Sequence, residues 1–183
     1  MTGTPPLDAA TPSALRRGLN ALYDGAAALA AVSMVLLLVM VMLSIASRQL
    51  GFNVPGVDAY AGYMMAAAGF LALAHTLKKG EHIRVTLLIA ALGAGWRRGF
   101  ELWSLFAASA LALLAAFYSG KLAWQSYAFH DISTSNDATP LWLPQLTMAI
   151  GTAVLAVAFI DEFVLELRGE RVVVTPEEAS RNE

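Results

Sequence analysis

The amino-acid sequence predicts an all-α integral membrane protein with four transmembrane helices and a short interfacial helix between the second and the third. Of its 183 residues, 57% are hydrophobic and 14% are charged, a composition typical of membrane proteins. The apolar residues fall in long blocks, without the short alternating segments of a closed β-barrel. Because backbone polar groups in lipid must pair internally, such blocks are expected to be helices.

Four blocks without Asp, Glu, Lys or Arg are long enough to cross the ~30 Å hydrocarbon core of a bilayer, which takes roughly 20 helical residues. They cover residues 25–47, 59–77, 102–120 and 138–160. The first is longer than the apolar core of a signal peptide, so we interpret it as a retained span. We expect residues 1–18 to be a disordered cytoplasmic tail, residues 19–168 to be the membrane domain and residues 169–183 to be a second cytoplasmic tail.

The distribution of positive charge predicts the orientation. Of the 12 lysines and arginines, all except Arg48 and Lys121 precede the first block, separate the second from the third, or follow the fourth. The positive-inside rule makes that side cytoplasmic. We therefore expect a multi-pass protein of the bacterial inner (cytoplasmic) membrane with both termini in the cytoplasm.

Composition also excludes several classes of function. The chain has no cysteine, so it has no disulfide, thiolate nucleophile or cysteine metal site. Its formal net charge of −2 gives no basic footprint for nucleic acid. Four spans with short connections leave little chain for a soluble catalytic domain, so we do not expect an enzyme.

A charged turn follows the second block. Its residues are Lys78, Lys79, Gly80, Glu81, His82 and Arg84. The apolar segment at 83–96 is too short to span a bilayer, and we expect it to lie at the interface. Glu81 and His82 lack the i, i+4 histidine spacing of a zinc helix. The turn is interpreted as a fixed local structure or a contact with a partner, two alternatives that the residues leave open.

Other ionisable residues lie at the ends of the predicted spans. They are Asp24, Asp58, Glu101, Asp161 and Glu162. Charge is less costly there than at the centre of a bilayer, so capping, topology or an intersubunit salt bridge is favoured over an ion pathway. Asp58 follows a Val-Pro-Gly turn, where a carboxylate favours the helix dipole. His75 is the deepest ionisable residue and is expected to be structural.

Small residues form a pattern in the second block. Gly62, Ala66 and Gly69 would let another helix approach closely. Whether that helix belongs to this chain or to a partner is open at this point.

Two stretches resemble the small membrane subunit of tripartite ATP-independent periplasmic (TRAP) transporters of the DctQ type. One is GFLALAHTLKKGEHIRVTLL, at 69–88, and the other is TPLWLPQLTMAIG, at 139–151, which contains Pro140, Trp142 and Pro144. The turn VPGVDAYAGY matches more loosely, because Val57 and the single Asp58 stand where family members often have an aromatic residue and paired acids. The resemblance covers roughly residues 19–168.

The resemblance implies a non-catalytic scaffold subunit of a sodium-coupled transporter that imports an organic acid, such as a dicarboxylate or a sugar acid. A periplasmic substrate-binding protein would deliver the acid, and a large membrane subunit would hold the substrate and sodium sites. This chain would need no cofactor of its own. The charged turn, Asp58, Pro140, Trp142 and Pro144 would then serve as turn or subunit-contact residues.

Two other classes of protein share these gross features. A membrane anchor or electron-transfer subunit with haem would need paired histidines in facing spans, and the chain has three histidines in all. A self-sufficient small four-span exporter acting as a homodimer would need a carboxylate inside its first span, and residues 25–47 contain none.

Overall fold

The computed structural model describes residues 14–79, 94–135 and 137–169, and these form four long α-helices. They are α1 (Ala14–Leu50), α2 (Val57–Lys78), α3 (Ala94–Ala128) and α4 (Trp142–Arg168). All four are long and apolar enough to cross a membrane, which confirms the all-helical fold with four potential spans. Most of the predicted interfacial helix lies outside the described residues and stays a prediction.

The helix ends differ from the ends of the apolar blocks. Helix α1 begins at Ala14, inside the segment expected to be a tail, and its Arg16 binds a carboxylate of α4. Helix α3 continues past residue 120 to Ala128. Helix α4 begins at Trp142 instead of residue 138, because Ala138 has a left-handed φ of 48° that a helix cannot include. Hydropathy locates the apolar part of a span, whereas hydrogen bonding and packing determine where the helix stops.

The helices pack in the order α1, α2, α4, α3. Helix α2 lies between α1 and α4, and α4 lies between α2 and α3, while α1 and α4 make a small direct contact. Accordingly, 28% of the residues in the most apolar 18-residue stretch of α2, and likewise of α4, are buried in the bundle. The corresponding share for α1 and for α3 is only 17%. The two outer helices thus leave most of their apolar side chains facing outward.

The interior of the bundle is built mainly from small residues. One cluster joins α1, α2 and α4, and its members are Tyr23, Ala26, Ala74, Leu77, Val154 and Ala158. Helices α2 and α4 approach closely at Gly151 of α4, where an added Cβ would lie 2.5 Å from the backbone oxygen of Phe70 in α2. Small side chains permit such proximity between membrane helices.

The α3 face against α4 contains buried serines. Ser109 donates a hydrogen bond to the carbonyl of Leu105 at 2.7 Å, and Ser119 donates to that of Ala115 at 2.6 Å. Each hydroxyl is therefore satisfied within its own helix, which lets a polar residue lie in an apolar environment.

The two turns at the opposite end from Arg16 pack on each other. Gly56, just before α2, has a φ of 82°, and a Cβ there would lie 2.6 Å from the Cβ of Asp137 in the α3–α4 loop. Only glycine combines this backbone conformation with the space available. The α3–α4 loop is thus held against the start of α2.

Candidate functional site

Four charged side chains join three helices at the end of the bundle where α1 begins. Nη1 of Arg16 lies 3.1 Å from both carboxylate oxygens of Asp161. The ammonium of Lys78 donates to the same carboxylate and to Glu162, 3.1 Å away. We call these residues, Arg16, Lys78, Asp161 and Glu162, the Asp161 cluster. It ties α1 and α2 to α4.

The Asp161 cluster is largely shielded from the surroundings. The side chains of Lys78 and Asp161 are 15% and 13% exposed, against 38% for Arg16. The ring of Tyr23 lies below the Lys78 ammonium, with 5.4 Å between the nitrogen and the ring centroid, a cation–π contact. Two cations and two carboxylates balance each other, so the cluster holds no net charge and serves to connect helices.

His75 contributes a weaker contact at the same end. Its Nδ1 lies 3.8 Å from Oδ1 of Asp24 in α1, longer than a hydrogen bond. Among the residues that the structure describes, no group of three His, Asp or Glu side chains could hold a metal ion.

The structure describes only the beginning of the predicted charged turn. Lys78 points into the Asp161 cluster, and the exposed Lys79 ends α2 through its backbone N–H, which donates to the carbonyl of His75 at 3.0 Å. The remaining turn residues lie outside the described residues, so their role stays a prediction. They are Gly80, Glu81, His82 and Arg84.

Asp58 forms an exposed pair at the opposite end. It accepts hydrogen bonds from Ser44 at 2.8 Å and from Arg48 at 3.2 Å. The Arg48 and Asp58 side chains are 73% and 75% exposed, so water screens the pair and it contributes little to stability. It connects the two ends of the α1–α2 turn.

Two tyrosines of α2 hold the α3–α4 loop, a feature that the sequence reasoning missed. Tyr63 donates its hydroxyl to Asp137 at 3.0 Å, and the hydroxyl oxygens of Thr139 and Tyr60 lie 3.1 Å apart, within hydrogen-bond distance. The hydroxyl of Thr139, followed by those of Ser133 and Tyr63, stabilises the carboxylate and lowers the pKa of Asp137 to about 2. The i, i+3 spacing of the tyrosines places them on one face of α2, but the sequence does not identify the loop beside them.

Pro140, Trp142 and Pro144 surround the start of α4. The Pro140 carbonyl accepts a hydrogen bond from the N–H of Leu143 at 3.2 Å, and the Trp142 ring meets Tyr127 of α3 edge to face at 5.8 Å. Pro144 lies in the first turn of α4, where a missing backbone N–H costs nothing. These contacts lie between elements of this chain.

Two of the three small residues predicted to pack in α2 face outward. Gly62 and Gly69 are exposed, and a Cβ at either would have no neighbour within 4 Å. Ala66 is half-buried, and Met65 beside it is 67% exposed. Within the described part of the chain, no helix covers Gly62 or Gly69. We refer to Gly62, Met65, Ala66 and Gly69 as the α2 outer face.

The comparison with known proteins identifies the family. The model of the family described as "Tripartite ATP-independent periplasmic transporters, DctQ component" matches residues 37–169, from the second half of α1 through the end of α4. No curated protein sequence matches the chain significantly. DctQ proteins are transporter components rather than enzymes, and they work with a large membrane subunit and a substrate-binding protein. Because the match covers most of the chain, with the end of α1 and the other three helices, this multi-pass membrane protein belongs to the DctQ family of TRAP transporter small subunits.

Proposed function

We propose that the chain is the non-catalytic scaffold subunit of a sodium-coupled TRAP transporter that imports an organic acid, such as a dicarboxylate or a sugar acid, across the bacterial inner membrane. A periplasmic binding protein delivers the acid, and the large membrane subunit carries the substrate and sodium sites. The small chain binds the large subunit and holds it in the bilayer with both of its own termini in the cytoplasm. Family membership supports the assembly, and the positive-inside pattern supports the orientation.

The α2 outer face is the observation that carries the scaffold role. Gly62 and Gly69 open a shallow surface on which a helix of another chain can approach closely. The outward side of α4 is different, because it presents several large apolar side chains suited to lipid, whereas the α2 outer face has one, Met65, between its two glycines. Those of α4 are Leu143, Leu146, Ile150, Val157 and Ile160. The contrast favours the α2 outer face as the contact with the large subunit.

The charges support a scaffold in preference to a translocation path. Asp161 and Glu162, the paired carboxylates at the end of α4, are bound by Arg16 and Lys78. An ion pathway needs carboxylates that exchange partners during transport, whereas these join three helices of one chain. The Asp161 cluster is therefore assigned to the internal architecture of the scaffold.

The test is co-purification of the large subunit encoded beside this chain. Gly62→Leu and Gly69→Leu place a branched side chain on the α2 outer face and should reduce the recovered complex about tenfold, equivalent to ~1.4 kcal/mol of association. Ala153→Leu places the same leucine side chain at an exposed position of α4 and should leave recovery unchanged. Full recovery with both α2 variants, or equal loss with all three, would reject this face as the contact.

A further inference from the structure

A groove with apolar walls lies between α1 and α4 beside the Asp161 cluster. Its volume is about 340 Å³. Leu15 and Leu19 of α1 form one wall, and Val164 and Leu165 of α4 form the other. It exists because α1 and α4 are not neighbours in the helix order and meet in only a small contact. Within the described ranges, no other segment fills the gap between them.

The charges that line the groove favour an anion. Arg16 and Arg168 line it with a single carboxylate, Asp161. Arg16 pairs with that carboxylate, so Arg168 supplies the excess positive charge of the lining. Arg168 is exposed in the last turn of α4, where its guanidinium can reach a phosphate. The groove thus combines apolar walls with a positive rim.

The groove lies at the depth of the lipid headgroups. Asp161 is the first charged residue after the apolar block at 138–160, and Arg168 follows two helical turns later. The 37 residues of α1 extend ~55 Å, well beyond the hydrocarbon core, so its first turns reach the headgroup region. The apolar walls of the groove therefore lie beside the acyl chains of the lipids, and Arg168 lies at the depth of the lipid phosphates.

We propose that this groove binds one anionic phospholipid of the adjacent leaflet, with its phosphate at Arg168 and an acyl chain between the leucines of α1 and the apolar residues of α4. Juxtamembrane arginines attract anionic headgroups, and the apolar walls select a lipid over a free phosphate. The site is formed by this chain alone, so the inference does not depend on binding to the large subunit.

The experiment measures lipid binding to the purified, delipidated full-length chain by native mass spectrometry and by the shift of its thermal unfolding midpoint. Phosphatidylglycerol should remain bound as one molecule and raise the midpoint, whereas phosphatidylcholine with the same acyl chains should do neither. Arg168→Gln should weaken phosphatidylglycerol binding about fivefold. Arg98→Gln removes an exposed arginine near the start of α3 that does not line the groove, and should leave the affinity unchanged.

A second variant tests the apolar walls. Val164→Trp fills the groove at a partly exposed position and should abolish binding while the lipid-free midpoint stays near that of the wild type. If Val164→Trp fails to fold, the exposed substitution Arg168→Gln still tests whether the groove binds an anionic lipid. Equal protection by phosphatidylcholine, equal loss in Arg168→Gln and Arg98→Gln, or full protection by glycerol phosphate without acyl chains would each overturn the lipid site.

Discussion

Asp161 is the residue on which the contacts at one end of the bundle converge. Its carboxylate binds Arg16 of α1 and Lys78 of α2 while its backbone belongs to α4. Because the carboxylate and Lys78 are mostly buried, removing one charge leaves the others poorly solvated. The loss of folding free energy on removing one charge should lie between the value for an exposed ion pair and the value for a fully buried one.

Asp161→Asn should therefore lower the free energy of unfolding by about 1–3 kcal/mol. Unfolding of the purified chain, followed by loss of helical circular dichroism, measures the change. Asp58→Asn is the matched control, because Asp58 also pairs with an arginine but is 75% exposed, and it should cost less than ~1 kcal/mol. Equal costs for the two variants would show that shielding of the Asp161 cluster contributes nothing.

Asp137 gives a second residue-scale prediction, for acidic pH. Its pKa is lowered from 3.8 to about 2 by the surrounding hydroxyls, so the folded state favours the charged form. Its contribution to stability is fully present above pH 3.8 and is lost as the pH falls through about 2. The difference in unfolding midpoint between the wild type and Asp137→Asn should shrink over this range. A difference that stays constant from pH 5 to pH 2 would contradict the role of the carboxylate.

Some of these contacts could be predicted from the sequence and others could not. The predicted spans place Arg16, Lys78 and Asp161 at the same end of the bundle, because two spans separate Arg16 from Lys78 and two separate Lys78 from Asp161. It does not say which helices are neighbours, so it leaves the pairs undetermined. The contact of Tyr63 with Asp137 likewise depends on how the α3–α4 loop folds back, which hydropathy does not encode.

At the scale of elements, the contact of α2 with α4 depends on Gly151. The Cβ of an alanine there would meet the backbone of Phe70, and a helix backbone cannot yield as a flexible side chain would. Gly151→Ala should destabilise the chain by about 1–3 kcal/mol. Gly120→Ala in α3, where a Cβ meets nothing within 4 Å, should instead stabilise it by up to ~1 kcal/mol through helix propensity. If both variants shift the unfolding midpoint in the same direction, the close approach of α4 to α2 at Gly151 would be contradicted.

The glycines show what composition leaves undecided. Gly62, Gly69 and Gly151 all lie in apolar blocks, where a glycine can let another helix approach, but the predicted packing pattern included Gly62 and Gly69 and not Gly151. The structure puts Gly151 inside the bundle and leaves the other two on its surface. Which face of a helix is buried depends on the rotation of the helix about its own axis. These helices are only weakly amphipathic, so their sequences do not determine that rotation. The element count was therefore predictable, but the packing faces were not.

At the scale of the whole molecule, the chain has two kinds of outward surface. Large apolar side chains cover α1, α3 and the outward side of α4, as lipid contact requires. The α2 outer face is shallow and suits a protein partner. Together with the internal pairing of charges at the Asp161 cluster, this division describes a scaffold that joins a partner on one face and lipid on the others.

The scaffold proposal requires that transport depend on this chain. The decisive measurement is uptake of labelled organic acids by proteoliposomes with an inward sodium gradient, assembled from the large subunit and the binding protein encoded beside this chain, with and without the chain itself. We expect uptake only when all three proteins and the gradient are present. Undiminished uptake by the large subunit and binding protein alone would contradict the proposal that this chain is a required scaffold subunit.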